Sequence, residues 1–274
     1  MSSAVIQKLK ELGYTTISEE FYGQVDLWES WYVGKVKGFH QYRRYNGHKW
    51  TKHNRATLSM GKKVCEDWAN LLMNEKVKIT LEGKKEQDFI DRVLAENNFT
   101  VKANEMQEMK SALGTVAYIP RVTGQGVTDS GEIIPGDASS IAIDYATMHD
   151  IYPLAWQNGF IYDCAFTSRV TRDGKDYVYF QIHRRANDGM YVIENRIYRY
   201  QNEQLSDEDL KNVSGFERIP PVVYTGSNKR QFVIDKPNIA NNFNFLLPVG
   251  ISVFANSIDV LRGVDTAYDC YRCI

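Results

Sequence analysis

The sequence has little of what marks catalysis, secretion or membrane insertion. Its 274 residues include only four cysteines, Cys65, Cys164, Cys270 and Cys273. That is weak support for a disulfide framework in a chain of this size. Cys270 and Cys273 form a C-x-x-C, but no second pair and no nearby histidine accompany it, so zinc or redox use is not expected. No apolar run approaches the roughly 20 residues that a membrane helix needs. The start, Met1 to Lys8, lacks a secretory hydrophobic region, which reads as an intracellular product. Glycine and proline, at 19 and 7 residues, are too few for collagen-like or mucin-like chains.

Catalytic signatures are missing as well. There is no G-x-S-x-G, no P-loop and no H-E-x-x-H. Gly124-Gln125-Gly126 lacks the third glycine and the strand–turn–helix setting of a dinucleotide site. Of five histidines, His40, His48 and His53 lie inside a basic run, where they add positive character; none of the five, His149 and His183 included, has a metal-ligand spacing. Asp144, Asp150 and Asp163 could converge as a metal-nuclease cluster; the simpler reading is loop-end aspartates satisfying turns. No catalytic residue, metal site or cofactor is therefore expected.

What is present is an ordinary globular composition, 43% hydrophobic and 24% charged. The length suits one large domain or two small ones. The net charge of −1 hides an asymmetry. Between Gly34 and Lys63 there are nine Lys/Arg and no acid, so the remainder carries 24 basic and 34 acidic residues, a net of −10. Phe39, Tyr42, Tyr45 and Trp50 interleave the run. Arg43, Arg44, Lys49, Lys52 and Arg55 are thus candidate contacts, either to nucleic acid or to an acidic protein surface.

The pattern along the chain predicts an α+β fold. Helices are expected over Ser3 to Leu12, closed by Gly13, and from Ser18 to about Gly34, with Phe21, Val25, Trp28 and Tyr32 inward. Asn46-Gly47 predicts a hairpin. A helix from about Ala56 would bury Val64, Cys65, Trp68, Leu71 and Leu72, and Val77 to Leu81 alternates as a strand should. Two helices follow, Glu86 to Asn97 with Phe89, Ile90, Val93 and Leu94 inward, and Asn104 to Leu113. Strands are expected at 115–121, 141–145, 160–170, 177–183 and 190–200, with a mobile glycine-punctuated loop at 122–138. Asp173-Gly174 and Asp188-Gly189 mark the meander's turns. Leu205 to Val213 reads as a short acidic helix or turn, and 222–225 and 231–236 as edge or extended pieces.

After the polar linker 238–242, Pro248 is expected to open a last helix running to the end. Its apolar positions include Ile251, Phe254, Ile258, Leu261 and Tyr268, a narrow seam suited to packing on another helix. Asp259, Asp265 and Asp269 are placed on its polar side. This helix has no stop signal, and its seam needs a partner.

An ordered set of segments carries a resemblance: Trp31-Tyr32-Val33-Gly34, the basic stretch, Arg55 to Lys63, Trp68-Ala69, Asn74-Glu75, Ile143-Asp144-Tyr145, Ile151 to Trp156, Asn241-Asn242, Pro248 to Asp259 and Asp265 to Asp269. It resembles the portal proteins of tailed double-stranded-DNA phages, in the version typical of phages and prophages of Gram-positive bacteria. The resemblance implies a non-enzymatic role, in a ring of about a dozen subunits at one capsid vertex that passes DNA. Its partners would be other portal subunits, scaffold or coat protein, with terminase contact and DNA passage belonging to the full-length ring. The location would be the virion vertex, or the bacterial cytoplasm during assembly, with no membrane and no secretion.

On this reading, 1–114 is the mainly helical part of the outer wing, 115–237 its antiparallel β-rich part, and 238–274 a linker and the approach to the stem. Portals of this type continue with clip, returning stem helix, channel loop and crown, so the chain reads as truncated before its DNA-facing elements. Alone, it is expected to be a monomer or small oligomer. A nucleic-acid-binding module built on 34–63 is the alternative.

Overall fold

The computed structural model describes residues 1–73, 77–124, 126–128, 130–134 and 139–272. The chain opens with α1 (Ser2–Glu11), which buries Val5, Ile6 and Leu9. Helix α2 (Glu19–Val33) buries Phe21, Tyr22, Val25, Trp28 and Trp31 and stops, as expected, at Gly34, whose φ of 71° makes a left-handed closure. A hairpin of β1 (Gln41–Tyr45) and β2 (Trp50–Asn54) follows. Next come α3 (Met60–Leu72), α4 (Lys84–Glu96) and α5 (Phe99–Leu113).

The second half is strand-rich. It contains β3 (Val116–Thr123), the short ribbon β4 (Gly126–Val127) and β5 (Ile133–Ile134), β6 (Ser140–Thr147), β7 (Ile151–Gln157), β8 (Phe160–Arg172), β9 (Lys175–Arg185), β10 (Tyr191–Gln201), β11 (Gln204–Glu208), β12 (Val222–Tyr224) and β13 (Val233–Asp235). Strands β11-β10-β9-β8-β7 form an antiparallel sheet, with β12 sharing the outer edge of β10. A second sheet has the order β13-β3-β6. The chain ends in α6 (Ile258–Arg272). The α+β class and the antiparallel meander are as expected.

Alternation along the large sheet assigns its two faces. Ala165, Val178, Phe180, Ile182 and Tyr198 face α1 and α2 in the largest core cluster. Cys164 and Phe166 face the smaller sheet through Ala117, Ile119, Ala146 and Phe232. Tyr22 pins α2 to the large sheet: its hydroxyl donates to the Ile151 carbonyl at 2.7 Å and its ring stacks on Tyr152 at 5.0 Å. The main core also takes in Val249, Ile251, Phe254 and Ala255. These residues run beside the end of α5, where Val253 N–H donates to the Ser111 carbonyl and Gly250 N–H to the Thr115 hydroxyl, both at 2.9 Å. Gly114 has φ 83°, and a Cβ there would meet the Gly250 carbonyl at 2.5 Å. The two glycines are what let the segments touch.

Several elements differ from expectation. Helix α3 starts at Met60 rather than Ala56, because the backbone of residues 56–58 is engaged by aspartates of α6. Its buried face is Gly61, Cys65 and Ala69, small enough for close approach to α2; a Cβ on Gly61 would sit 3.3 Å from the Trp31 carbonyl. Trp68, Leu71 and Leu72 therefore turn outward. Val77 to Leu81 is no strand: it lies exposed, with no strand beside it among the described residues. The Gln87 carboxamide takes that place, accepting from Leu81 N–H at 2.7 Å and donating to the Ile79 carbonyl at 3.1 Å.

Of the predicted inward face of α4, only Val93 is fully buried and Phe89 is exposed. Helix α5 begins at Phe99, five residues earlier than its expected start at Asn104. Strand β7 was not foreseen; its Pro153 sits on a sheet edge, at an irregular register with β8. Of the stretch expected as a short acidic helix or turn at 205–213, the first part is strand β11 and only 210–212 is a 3-10 turn, because Asn202 and Glu203, with φ of 50° and 61°, fold the chain straight back on β10. The glycine loop holds the β4–β5 ribbon, while Gln125, Asp129 and 135–138 lie outside the described residues.

The last helix begins at Ile258, not Pro248, so Ile251 and Phe254 precede it, at 0% and 4% exposure. On α6 itself, Ile258, Leu261 and Tyr268 are half-buried. Its one fully buried residue is Asp265, which overturns the placement of that aspartate on a polar outer side. The outward direction belongs to Asp259, whose side chain is 95% exposed.

Candidate interaction surface

The basic run folds into the β1–β2 hairpin, whose register pairs Gln41 with Asn54, Tyr42 with His53, Arg43 with Lys52, Arg44 with Thr51 and Tyr45 with Trp50. The Asn46 side-chain oxygen makes the turn by accepting from the N–H groups of His48 and Lys49 at 3.1 and 3.0 Å. Alternation puts Arg43, Tyr45, Trp50 and Lys52 on one face and Tyr42, Arg44, Thr51 and His53 on the other. Arg43, Arg44, Lys49 and Lys52 are exposed, and among the described residues none of them forms an ion pair. Arg43 and Lys52 stand directly opposite each other, a like-charge pairing that disfavours the free hairpin. Tyr45 and Trp50 stand beside them, 53% and 64% exposed, with ring centroids 5.6 Å apart.

The fifth candidate, Arg55, is built into the hairpin's base. Its guanidinium donates to the Phe39 carbonyl at 3.1 Å, lies 4.1 Å over the Phe39 ring, and has Nε 3.8 Å from Asp269. Around it, α6 clamps the chain with two carboxylates one turn apart. Asp265 accepts from the Thr57 hydroxyl, from Leu58 N–H and from His40 Nε2, each at 2.9 Å, and Asp269 accepts from Ala56 N–H at 2.9 Å. Val36 N–H donates to His40 Nδ1 at 3.0 Å, so Nε2 carries the proton given to Asp265. His40 is thus a buried structural group at 3% exposure, not a contributor to surface charge. The sequence signal for the clamp was the i, i+4 spacing of Asp265 and Asp269, which puts both on one face of a helix.

The remaining candidates do not come together. Asp144 pairs with Arg121 at 2.6 Å, Asp150 accepts from the Thr167 hydroxyl at 3.1 Å, and Asp163 accepts from Arg185 N–H at 3.0 Å. Burial pushes the Asp150 and Asp163 carboxyls up. The one grouping with the donor types of a metal site among the described residues is Asp26, Glu29 and His149, which sequence spacing did not reveal. His149 lies 3.5 Å from Asp26 and 3.3 Å from Glu29, and both acids face solvent. Cys65 and Cys164 are buried thiols, pushed up by desolvation, Cys65 to about 12. Cys270 is exposed, and Cys273 lies outside the described residues.

A cleft of about 990 Å³ separates the two sheets, lined by Ile119, Tyr145, Phe166, Tyr179, Asn195 and His183 among others. His183 is fully buried, held edge-on between Phe166 and Phe232, and among the described residues neither ring nitrogen has a partner. Desolvation pushes its pKa down to about 3, so it is a neutral core imidazole. No helix among the described residues is long and apolar enough to cross a membrane.

No curated protein matches the chain. A family model described as phage portal protein, SPP1 Gp6-like, matches residues 13–154, a span that runs from the connection before α2 through the hairpin, the three following helices and β3 to β6 into β7. That is more than half of the chain, and the chain belongs to the SPP1 Gp6-like family of phage portal proteins.

Proposed function

We propose that these residues form the outer wing of a portal subunit and act by holding neighbours in place, with the β1–β2 hairpin as a contact element. The observation that carries this is the hairpin itself: four unpaired cations and two exposed aromatics, mounted on a base locked to α6 by Asp265 and Asp269. Exposed aromatics beside arginine are the composition of interface anchors. A rigid base gives such an anchor a fixed direction, which favours binding by lowering the ordering cost. The partners in this reading are other portal subunits and scaffold or coat protein, at the capsid vertex. The family is structural, and the chemistry on the surface is recognition chemistry.

The test is assembly. Epitope-tagged chain is supplied during capsid assembly with its coat and scaffold proteins, and the tag is located by electron microscopy. Label at a single vertex of each particle is expected; label spread over all vertices, or absent from particles, contradicts the reading.

One observation favours a second reading, nucleic-acid binding: the Arg43–Lys52 pair flanked by the Tyr45 and Trp50 rings can track a phosphate and stack a base. Titration with duplex and single-stranded DNA at two salt concentrations decides it. A phosphate-tracking surface loses affinity steeply as salt rises, whereas absence of binding at low salt removes this reading.

A further inference from the structure

Helix α2 carries the complement of the hairpin. Its sequence contains four acids, Glu19, Glu20, Asp26 and Glu29, and no lysine or arginine. All four are exposed. Glu19, Asp26 and Glu29 recur at i, i+7 and i+10, one stripe along the helix, while Glu20 is turned to another side. Among the described residues the one basic group paired with them is His149, beside Asp26 and Glu29. The hairpin presents four cations with no acid, and no ion pair joins the two surfaces within the chain among the described residues.

We propose that the β1–β2 hairpin of one copy docks on the acidic stripe of α2 in a second copy. The occupant follows from charge complementarity: four cations on one element and a stripe of three acids on another, which among the described residues have no ion-pair partner but His149. Docking sets an acid against the opposed Arg43 and Lys52 and relieves their repulsion, while Tyr45 and Trp50 supply the apolar contact. The two surfaces differ, so the contact is head-to-tail and repeats from copy to copy, closing into a ring where the rotation allows. The choice of a second copy rests on the portal-subunit reading; the pairing of surfaces rests on the charges alone.

The experiment is a charge swap on the full chain, read by sedimentation velocity at low and high salt. Reversing the hairpin (R43E/K52E), or the stripe (D26K/E29K), is expected to weaken self-association at least about tenfold. Carrying both reversals in one chain, or mixing the two variants, restores it. Circular dichroism melts establish that each variant is folded; if D26K/E29K is not, E19K replaces it. Zero-length carbodiimide cross-linking of isotopically mixed wild-type chains provides the second readout, with Lys49 or Lys52 joined to Glu19, Asp26 or Glu29 between copies. Loss on reversal without recovery in the double swap, or intermolecular cross-links elsewhere, overturns the proposal. So does a hairpin whose reversal abolishes binding to a DNA duplex while self-association is unchanged. Single-vertex labelling that succeeds while the swap fails leaves the portal reading intact and removes this contact; the opposite pattern does the reverse.

Discussion

At the scale of single residues, the fold is most sensitive where polar or backbone groups have no room to adjust. Gly114 combines a left-handed backbone with a carbonyl 2.5 Å from where its Cβ would be. Gly114→Ala is therefore expected to cost about 2–4 kcal/mol, combining backbone strain and overpacking, measured as a lowered denaturant midpoint at unchanged slope. His183 provides a pH test. Its folded pKa of about 3 lies below the ordinary 6.5, so the unfolded chain binds the extra proton between those values. Stability present above the ordinary value is lost progressively as pH falls toward the folded one. At about pH 5 the loss from this group is about 2 kcal/mol relative to neutral pH. His183→Phe, placed between Phe166 and Phe232, should flatten that part of the stability–pH curve, as read by urea unfolding at a series of pH values. A variant that keeps the wild-type slope would show that another group titrates.

At the scale of elements, α6 stands apart from the rest. It is attached by a pair of carboxylates as well as by the half-buried Ile258 and Leu261, with Asp265 as its one fully buried residue. Asp265→Ala leaves Leu58 N–H and His40 without their acceptor, at an expected cost of about 2–4 kcal/mol. The loss should be local: hydrogen exchange should speed up over 258–272 and over 55–59 while β8 to β10 stay protected. Equal loss of protection everywhere would show that α6 is part of the global folding unit. Because Arg55 to Leu58 join the hairpin to α3, the same clamp also aims the hairpin.

The sequence made much of this legible, in the elements whose pattern is local. The α2 stripe, the hairpin turn at Asn46-Gly47 and the Asp-Gly turns of the meander all formed as expected, since each depends on residues within one or two turns of chain. What failed depended on distant partners. Val77 to Leu81 alternates like a strand but has no strand beside it among the described residues. Trp68, Leu71 and Leu72 look like a core stripe, yet the close approach of α2 selects the small face of α3 instead. Ile251 and Phe254 continue the spacing of α6 but belong to the core beside α5. The cationic cluster was visible as a charge run; of the clamp behind it only the i, i+4 spacing of Asp265 and Asp269 was, because Asp265 and its partner His40 are 225 residues apart.

At the scale of the whole molecule, helices cover one face of the large sheet, the second sheet covers the other, and the charged hairpin projects from the helical side's connection to α6. The unpaired charge of the hairpin matches an acidic excess elsewhere in the same chain, the balance expected of a subunit that meets its own copies. Membership of the portal family and the exposed hairpin together make the central claim, that this element is buried by assembly. Hydrogen exchange followed by mass spectrometry, comparing the free chain with the chain in assembled portal rings, tests it most directly. The account predicts slowed exchange across 41–54 on assembly; unchanged exchange there, with protection appearing only on other surfaces, would contradict it.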